Sequence, residues 1–235
     1  MKISSVIFFC FIGLFIYRYT SKYIQRNINP INNVYVQRKK ITSNNIDFLI
    51  KKFRSNDINL IPKKYIESNG KVTYKYIIND GDKKLNLKEI KELINNPPKN
   101  IMEKVFLKES VIALNKLGIN IFLEKPKIIG ATAEWDHKEK TIRFNPRTLE
   151  FGTKAFAGAM NHEIIHIIQS CKGGGVRNKP VLIGLPIKEK NKIDNRLINH
   201  IYGDISKNQY GLELEAYSYQ NNFILSSSLF KKYCT

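Results

Sequence analysis

His162, Glu163 and His166 stand in the run His162-Glu163-Ile164-Ile165-His166, an HExxH pattern, and these residue types at this spacing carry a specific chemistry. On a helix, side chains four positions apart lie one above the other, about 6 Å apart, so both imidazoles can reach one metal ion. Zinc suits imidazole nitrogen and carboxylate oxygen ligands. Glu163 follows the first His and is turned about 100° around the helix, where it can take a proton from water at the metal without being a ligand. The same three residues also meet by chance on surface helices, but there their neighbours are Lys and Glu. Here the flanking positions are Ala155, Phe156, Ala157, Ala159, Met160, Ile164, Ile165, Ile167 and Ile168, with Thr153 as the expected N-cap and glycines 173–175 as an abrupt stop. Such a helix is buried on most sides. Two imidazoles and a carboxylate inside it are costly without a partner, and a metal ion supplies one.

The elements around this helix must position it. Upstream, residues 128–135 and 141–145 read as two strands joined by the polar stretch 136–140 and ended by Asn145-Pro146. A strand beside the helix offers a free edge to which an extended peptide can add by main-chain hydrogen bonds. Downstream, Gly211-Leu-Glu-Leu-Glu-Ala-Tyr-Ser-Tyr-Gln220 holds two carboxylates, Glu213 and Glu215. A catalytic zinc site keeps three protein ligands and leaves one position open, which two His and one Glu satisfy. On a helix Glu213 shares its face with Ala216, Tyr217, Gln220 and Ile224, whereas Glu215 lies with Ser218, Tyr219 and Asn222 on the more polar side, so Glu213 is the expected third ligand and Glu215 the alternative. Cys171 and Cys234 are poorer ligand candidates, and with Cys10 inside an apolar segment they are the one pair in the body that can form a disulfide. His200, Tyr210, Tyr217 and Tyr219 are candidates to donate a hydrogen bond to an oxyanion, each with a packing or surface role as the simpler reading.

Taken together, the strand pair ending at Asn145-Pro146, the HEIIH helix and Glu213-Leu-Glu-Ala216-Tyr217 resemble the gluzincin metallopeptidases, in particular short minimal forms and membrane-linked relatives whose second helix carries Glu-x-x-Ala-Asp. The likeness covers residues 100–225. It implies an α+β, zincin-like fold, a small mixed sheet packed on the HExxH helix and a downstream Glu-bearing helix. It also implies a zinc-dependent peptidase acting on a peptide or protein substrate, with His162, His166 and Glu213 as ligands and Glu163 as general base. Tyr217 stands where many relatives have an Asp that orients a ligating His. The rival expectation is a zincin-fold module that keeps zinc for structure or binds peptides without cutting them. A third is a basic envelope-associated binding protein with no metal.

The chain has 235 residues, enough for one domain plus appendages, and a net charge of +19. The excess is Lys spread along the chain rather than an Arg-rich stripe, with no finger spacing or RNA-binding signature, so no nucleic-acid partner is expected. Attraction to an anionic membrane surface or to acidic substrates follows more naturally. Residues 6–17 (VIFFCFIGLFIY) are continuously apolar and no small-x-small cleavage site follows them, so residues 1–23 read as an uncleaved membrane anchor, with a signal peptide as the alternative. Arg18, Lys22 and Arg26 after that segment would hold the body in the cytoplasm by the positive-inside rule. Residues 24–62 read as a polar tether or loosely packed arm and residues 63–235 as the catalytic domain. Within the latter, a turn at Asn69-Gly70 precedes a strand at 71–78, and helices are expected at 87–95 and about 101–117, broken by Pro97-Pro98 and ended at Gly118. The stretch from Asp80 to Glu89 superficially resembles a calcium loop but lacks its acidic first position and its turn glycine, and Asn86 with Glu89 reads instead as a capping box. The sequence sets no oligomeric state.

Overall fold

Chain order in the computed structural model, which describes residues 38–77, 84–187 and 206–235, begins with strand β1 (Lys39–Ile41), helix α1 (Ile46–Asn59) and the hairpin β2 (Lys63–Ile66) and β3 (Val72–Lys75). Helices α2 (Leu87–Asn95) and α3 (Ile101–Lys116) and strands β4 (Asn120–Leu123), β5 (Ala133–Asp136) and β6 (Thr141–Phe144) follow. A 3-10 turn (Pro146–Phe151) then leads into helices α4 (Gly152–Lys172), α5 (Lys207–Tyr219) and α6 (Phe223–Cys234). The class is α+β. The apolar segment 6–17, the residues up to 37, the Asp80 and Asp82 positions and His200 lie outside the described residues. Among the described residues no helix is long and apolar enough to cross a membrane.

The main sheet has the order β1-β4-β6-β5. Strands β4 and β6 are parallel, with Ile121 opposite Ile142 and Leu123 opposite Phe144, while β5 pairs antiparallel to β6 and forms an edge. Side chains alternate across a strand, so Ile121, Leu123, Ile142 and Phe144 share the face that packs into the core. The opposite face carries Arg143, buried at 5 % exposure among Glu124, Glu134, Asp136 and Glu139. The strand expected over 128–135 is shorter than its apolar content suggests. Gly130 sits at φ +86° and Ala131 N–H bonds back to the Ile128 carbonyl at 3.2 Å, which turns the chain and leaves Ile129 exposed before β5 begins. The capping box on α2 forms, with Glu89 N–H donating to Asn86 Oδ1 at 2.9 Å and Asn86 N–H to the Glu89 carboxylate at 2.7 Å.

The described part of the expected tether, residues 38–62, is instead built into the domain. β1 adds to β4 as an edge strand, and Ile46, Leu49 and Phe53, spaced to fall on one face of α1, are buried, with the Phe53 ring 4.7 Å from Phe156 on α4. The polar residues that made this stretch look solvated are the outer face of an amphipathic helix. One of them caps α4. Thr153 was the expected N-cap, but the helix begins one residue earlier, and Asp57 of α1 accepts from both Thr153 N–H and Thr153 Oγ1 at 2.7 Å. Gly152 at φ +80° makes that approach possible, since a Cβ there would lie 2.5 Å from Asp57 Oδ1. A carboxylate at a helix N-terminus also meets the positive end of its dipole.

At the other end α4 stops at Lys172, ahead of glycines 173–175 as expected, and Cys171 is joined to Cys234 at the end of α6, 63 residues on. Closing a loop of that length stabilises a fold by about 4 kcal/mol in the chain-entropy account. Reduction under non-denaturing conditions is therefore expected to lower the unfolding midpoint in urea by an amount worth about 2–4 kcal/mol, measured on oxidised and reduced protein. An unchanged midpoint would mean that α4 and α6 are held by packing alone.

Candidate metal centre

Helix α4 runs through the middle of the domain and is buried from Phe156 to Cys171 except at Ala159, so its polar side chains must find partners inside the protein. His162 and His166 find Glu213. The His162 Nε2 and His166 Nε2 atoms are 3.1 Å apart, His162 Nε2 is 3.2 Å from one Glu213 oxygen, and His166 Nε2 is 3.4 Å from the other. Taken as one ligand atom per residue, the three lie within 4.8 Å of one another and could hold a metal ion. Tetrahedral zinc with ligands at about 2.0–2.1 Å has ligand atoms about 3.3 Å apart, which is the spacing of these short contacts. The donor set fits as well: two imidazole nitrogens and a carboxylate converge, groups that suit a metal ion and that protons on the imidazoles satisfy in its place.

Electrostatics express the same requirement. Burial alone would pull the His166 pKa down, but the Glu213 carboxylate outweighs it, and the imidazole is raised from 6.5 to about 9. Burial would raise Glu213, yet the charge of His166 and the hydrogen bonds from both imidazoles hold it well below the usual carboxylate range. Without a metal, a proton shared with Glu213 occupies the site. Glu163 is different: burial lifts its carboxyl above the ordinary value, and the neighbouring imidazoles only partly offset this. A raised carboxyl pKa suits a group that must both take and return a proton.

Glu215, the alternative ligand, lies elsewhere. Its Oε2 accepts from Ile183 N–H at 2.8 Å and from Gln169 Nε2 at 3.1 Å, and its Oε1 from Gly184 N–H at 2.6 Å and Leu185 N–H at 2.9 Å. The helix-face reasoning thus reached Glu213 for a reason the structure corrects. The side of α5 bearing Glu215 is not polar but buried with Leu212, Ala216 and Tyr219, because the segment after α4 returns across it and points its amides at the carboxylate. The same segment is tied at Val181 N–H to the Gln169 carbonyl, by Lys172 Nζ to the carbonyls of Leu182 and Ile183, and by the Tyr219 hydroxyl to the Pro186 carbonyl at 2.6 Å.

Among the proposed oxyanion donors, Tyr217 packs its ring edge-on against His162, 4.5 Å between centroids, while Tyr219 donates its hydroxyl to Pro186. Neither Cys171 nor Cys234 is available as a ligand, since they are bonded to each other. The edge strand is fixed relative to α4 by Trp135 Nε1, which donates to the buried Ser170 Oγ at 3.1 Å. Three supporting residues escape a motif reading: Asp57, Asn161 and Gln169. Asn161 Nδ2 donates to the carbonyls of Tyr219 and Gln220 and so caps the C-terminus of α5, and Gln169 Oε1 lies 2.8 Å from His166 Nδ1. Asn161 and Gln169 had one legible signal, being uncharged amides in an otherwise apolar run. Comparison with protein-family models, with curated proteins and with solved structures finds no match for this chain.

Substituting Glu215→Ala removes the acceptor of three backbone amides, that of Ile183 buried, and one of the two acceptors of the Gln169 amide, so stability is expected to fall by about 3 kcal/mol, read as a lowered urea midpoint. Glu213→Ala, on a less buried site, should cost distinctly less. Equal losses would contradict the separate roles drawn for the two carboxylates.

Proposed function

We propose that this chain is a zinc-dependent peptidase with a zincin-like, gluzincin-type fold, tethered to a membrane by its apolar N-terminal segment. The observation that carries the reading is the convergence of His162, His166 and Glu213 within ligand distance of one another, with the buried Glu163 carboxyl one step along the same helix. Zinc held there supplies Lewis acidity that lowers the pKa of water and polarises a carbonyl. Glu163 takes the proton of the attacking water and returns it to the leaving amine. The outer edge of β5, unpaired among the described residues and tied to the site helix through Trp135 and Ser170, takes an extended peptide by main-chain pairing. The Cys171–Cys234 bridge favours an oxidising compartment for the body, and so argues against the cytoplasmic side that the basic flank of the anchor suggested.

A second reading has one observation in its favour. Tyr217 faces His162 where the relatives carry an Asp, and an aromatic ring edge there orients the imidazole by packing rather than by a carboxylate hydrogen bond. A zincin-fold module that holds zinc and binds peptides without hydrolysis accommodates that change.

Elemental analysis of the freshly purified full-length chain is expected to give one zinc per protein, and His162→Ala or His166→Ala to lose it. Because His166 carries a proton below about pH 9 in the metal-free state, zinc must displace that proton. The affinity should therefore fall as pH is lowered from 9 towards 7, by about tenfold per unit for one proton released, and pH-dependent titration calorimetry reads it. An affinity flat over that interval would sink the proton-for-metal exchange.

For the hydrolytic step, Glu163→Gln is expected to keep zinc content and fold while peptide cleavage drops by about 100- to 10,000-fold. New termini generated from a diverse peptide library, read by mass spectrometry, decide the matter. Wild-type protein loaded with zinc and cutting nothing in that library would favour the non-enzymatic module, and cleavage unchanged in Glu163→Gln would expose a contaminating protease.

A further inference from the structure

The metal-site reading leaves one buried side chain in direct contact with a ligand and without an assigned role. Gln169 lies one helical turn beyond His166 on α4 and is fully buried. Its Oε1 is 2.8 Å from His166 Nδ1, the imidazole nitrogen turned away from Glu213. An amide oxygen only accepts, so His166 Nδ1 must be the donor in this pair and Nε2 is the atom left to face Glu213 and His162.

The orientation of the Gln169 amide is itself fixed. Its Nε2 donates to the Leu212 carbonyl at 3.0 Å and to Glu215 Oε2 at 3.1 Å, both acceptors, so the amide cannot be turned over without setting oxygen against oxygen. Glu215 is fixed in turn by the amides of Ile183, Gly184 and Leu185. The hydrogen bonds thus have one assignment: His166 Nδ1–H donates to Gln169, Gln169 donates to Glu215, and Glu215 also accepts from three backbone amides.

We propose that Gln169 is the positioning residue of this site, locking His166 as the Nδ1–H tautomer so that Nε2 points at the metal, with Glu215 and residues 183–185 as its anchor. It does for His166 what an Asp downstream of the ligand Glu does in the resembled family, from the site helix itself and with a neutral oxygen in place of a carboxylate. Gln169 touches no reacting atom and acts through His166. The proposal rests on the metal reading of the site.

The test uses the full-length chain in detergent and two readouts that need no catalysis: the zinc dissociation constant by competition with a chromophoric chelator, and the His166 Nδ1–H signal of the zinc-loaded protein by nitrogen–proton correlation. Wild type is expected to show one slowly exchanging Nδ1–H assigned to His166. Gln169→Met, close in size but without the oxygen, should weaken zinc binding by about 10- to 100-fold and lose that protected signal. A Gln169→Met protein that binds zinc within twofold of wild type overturns the proposal while leaving the metal reading intact. So does zinc-loaded wild type lacking a protected His166 Nδ1–H, a result independent of how any variant folds. Wild type that takes up no zinc overturns the metal reading, and this proposal with it.

Discussion

Two imidazole nitrogens and a carboxylate face one another at 3.1–3.4 Å on the least exposed helix of the domain, and that cluster constrains everything around it. Groups so close in a region poor in water need a proton or a cation among them. The need shows in His166, whose pKa the Glu213 carboxylate raises to about 9 against the effect of burial. The surrounding fold must keep the three groups together in both conditions, and the helix that carries two of them has to be immobile in rotation as well as in translation.

The structure meets that demand at several independent points along α4. Asp57 holds the first turn from a helix nearly a hundred residues earlier in the chain, and the bridge from Cys171 to Cys234 holds the last. Between them, Asn161 and Gln169 reach across to α5, the first to the carbonyls at its C-terminal end and the second to Leu212, the neighbour of Glu213. Glu213 is thereby fixed relative to His162 and His166 from both sides. Ser170 adds the edge strand through Trp135. Each of these hydrogen bonds uses a buried polar group that would be destabilising if left alone, so site geometry and fold stability depend on the same contacts.

The site itself was legible because its information is local. Two His four apart with a Glu after the first define a helical face without reference to the rest of the chain, and the apolar neighbours announce burial. The helix bounds at 87–95 were equally plain from Asn86 and Glu89, whose reciprocal bonds are a property of four consecutive residues. What the sequence hid is long-range. Asp57 looks like one more charge in a solvated arm until the 3-10 turn and Gly152 bring Thr153 to it, and Ile46, Leu49 and Phe53 are too few in a Lys- and Asn-rich stretch to signal a buried face. The short β5 was overread for the opposite reason: Ile128 and Ile129 have strand-forming side chains, but the backbone turns at Gly130. Glu215 could not have been separated from Glu213 on firm grounds, because its environment is made by backbone amides of residues 183–185 and no pattern of side chains encodes where amides will point.

The pair Glu213 and Glu215 shows how one element holds two carboxylates in opposite conditions. Both are on α5 within three residues of each other, and both lie against α4. Glu215 faces backbone N–H groups, donors that cannot leave, so its oxygens are paired within the scaffold. Glu213 faces imidazoles, whose protons can be lost to solvent or displaced by a cation, so its charge is satisfied conditionally. The chemical difference lies wholly in the partners, and the partners are set by which side of α5 meets the returning segment and which meets the His pair. Gln169 stands between the two, donating to the fixed carboxylate and accepting from His166, and through it the rigid half of α5 steadies the exchangeable half.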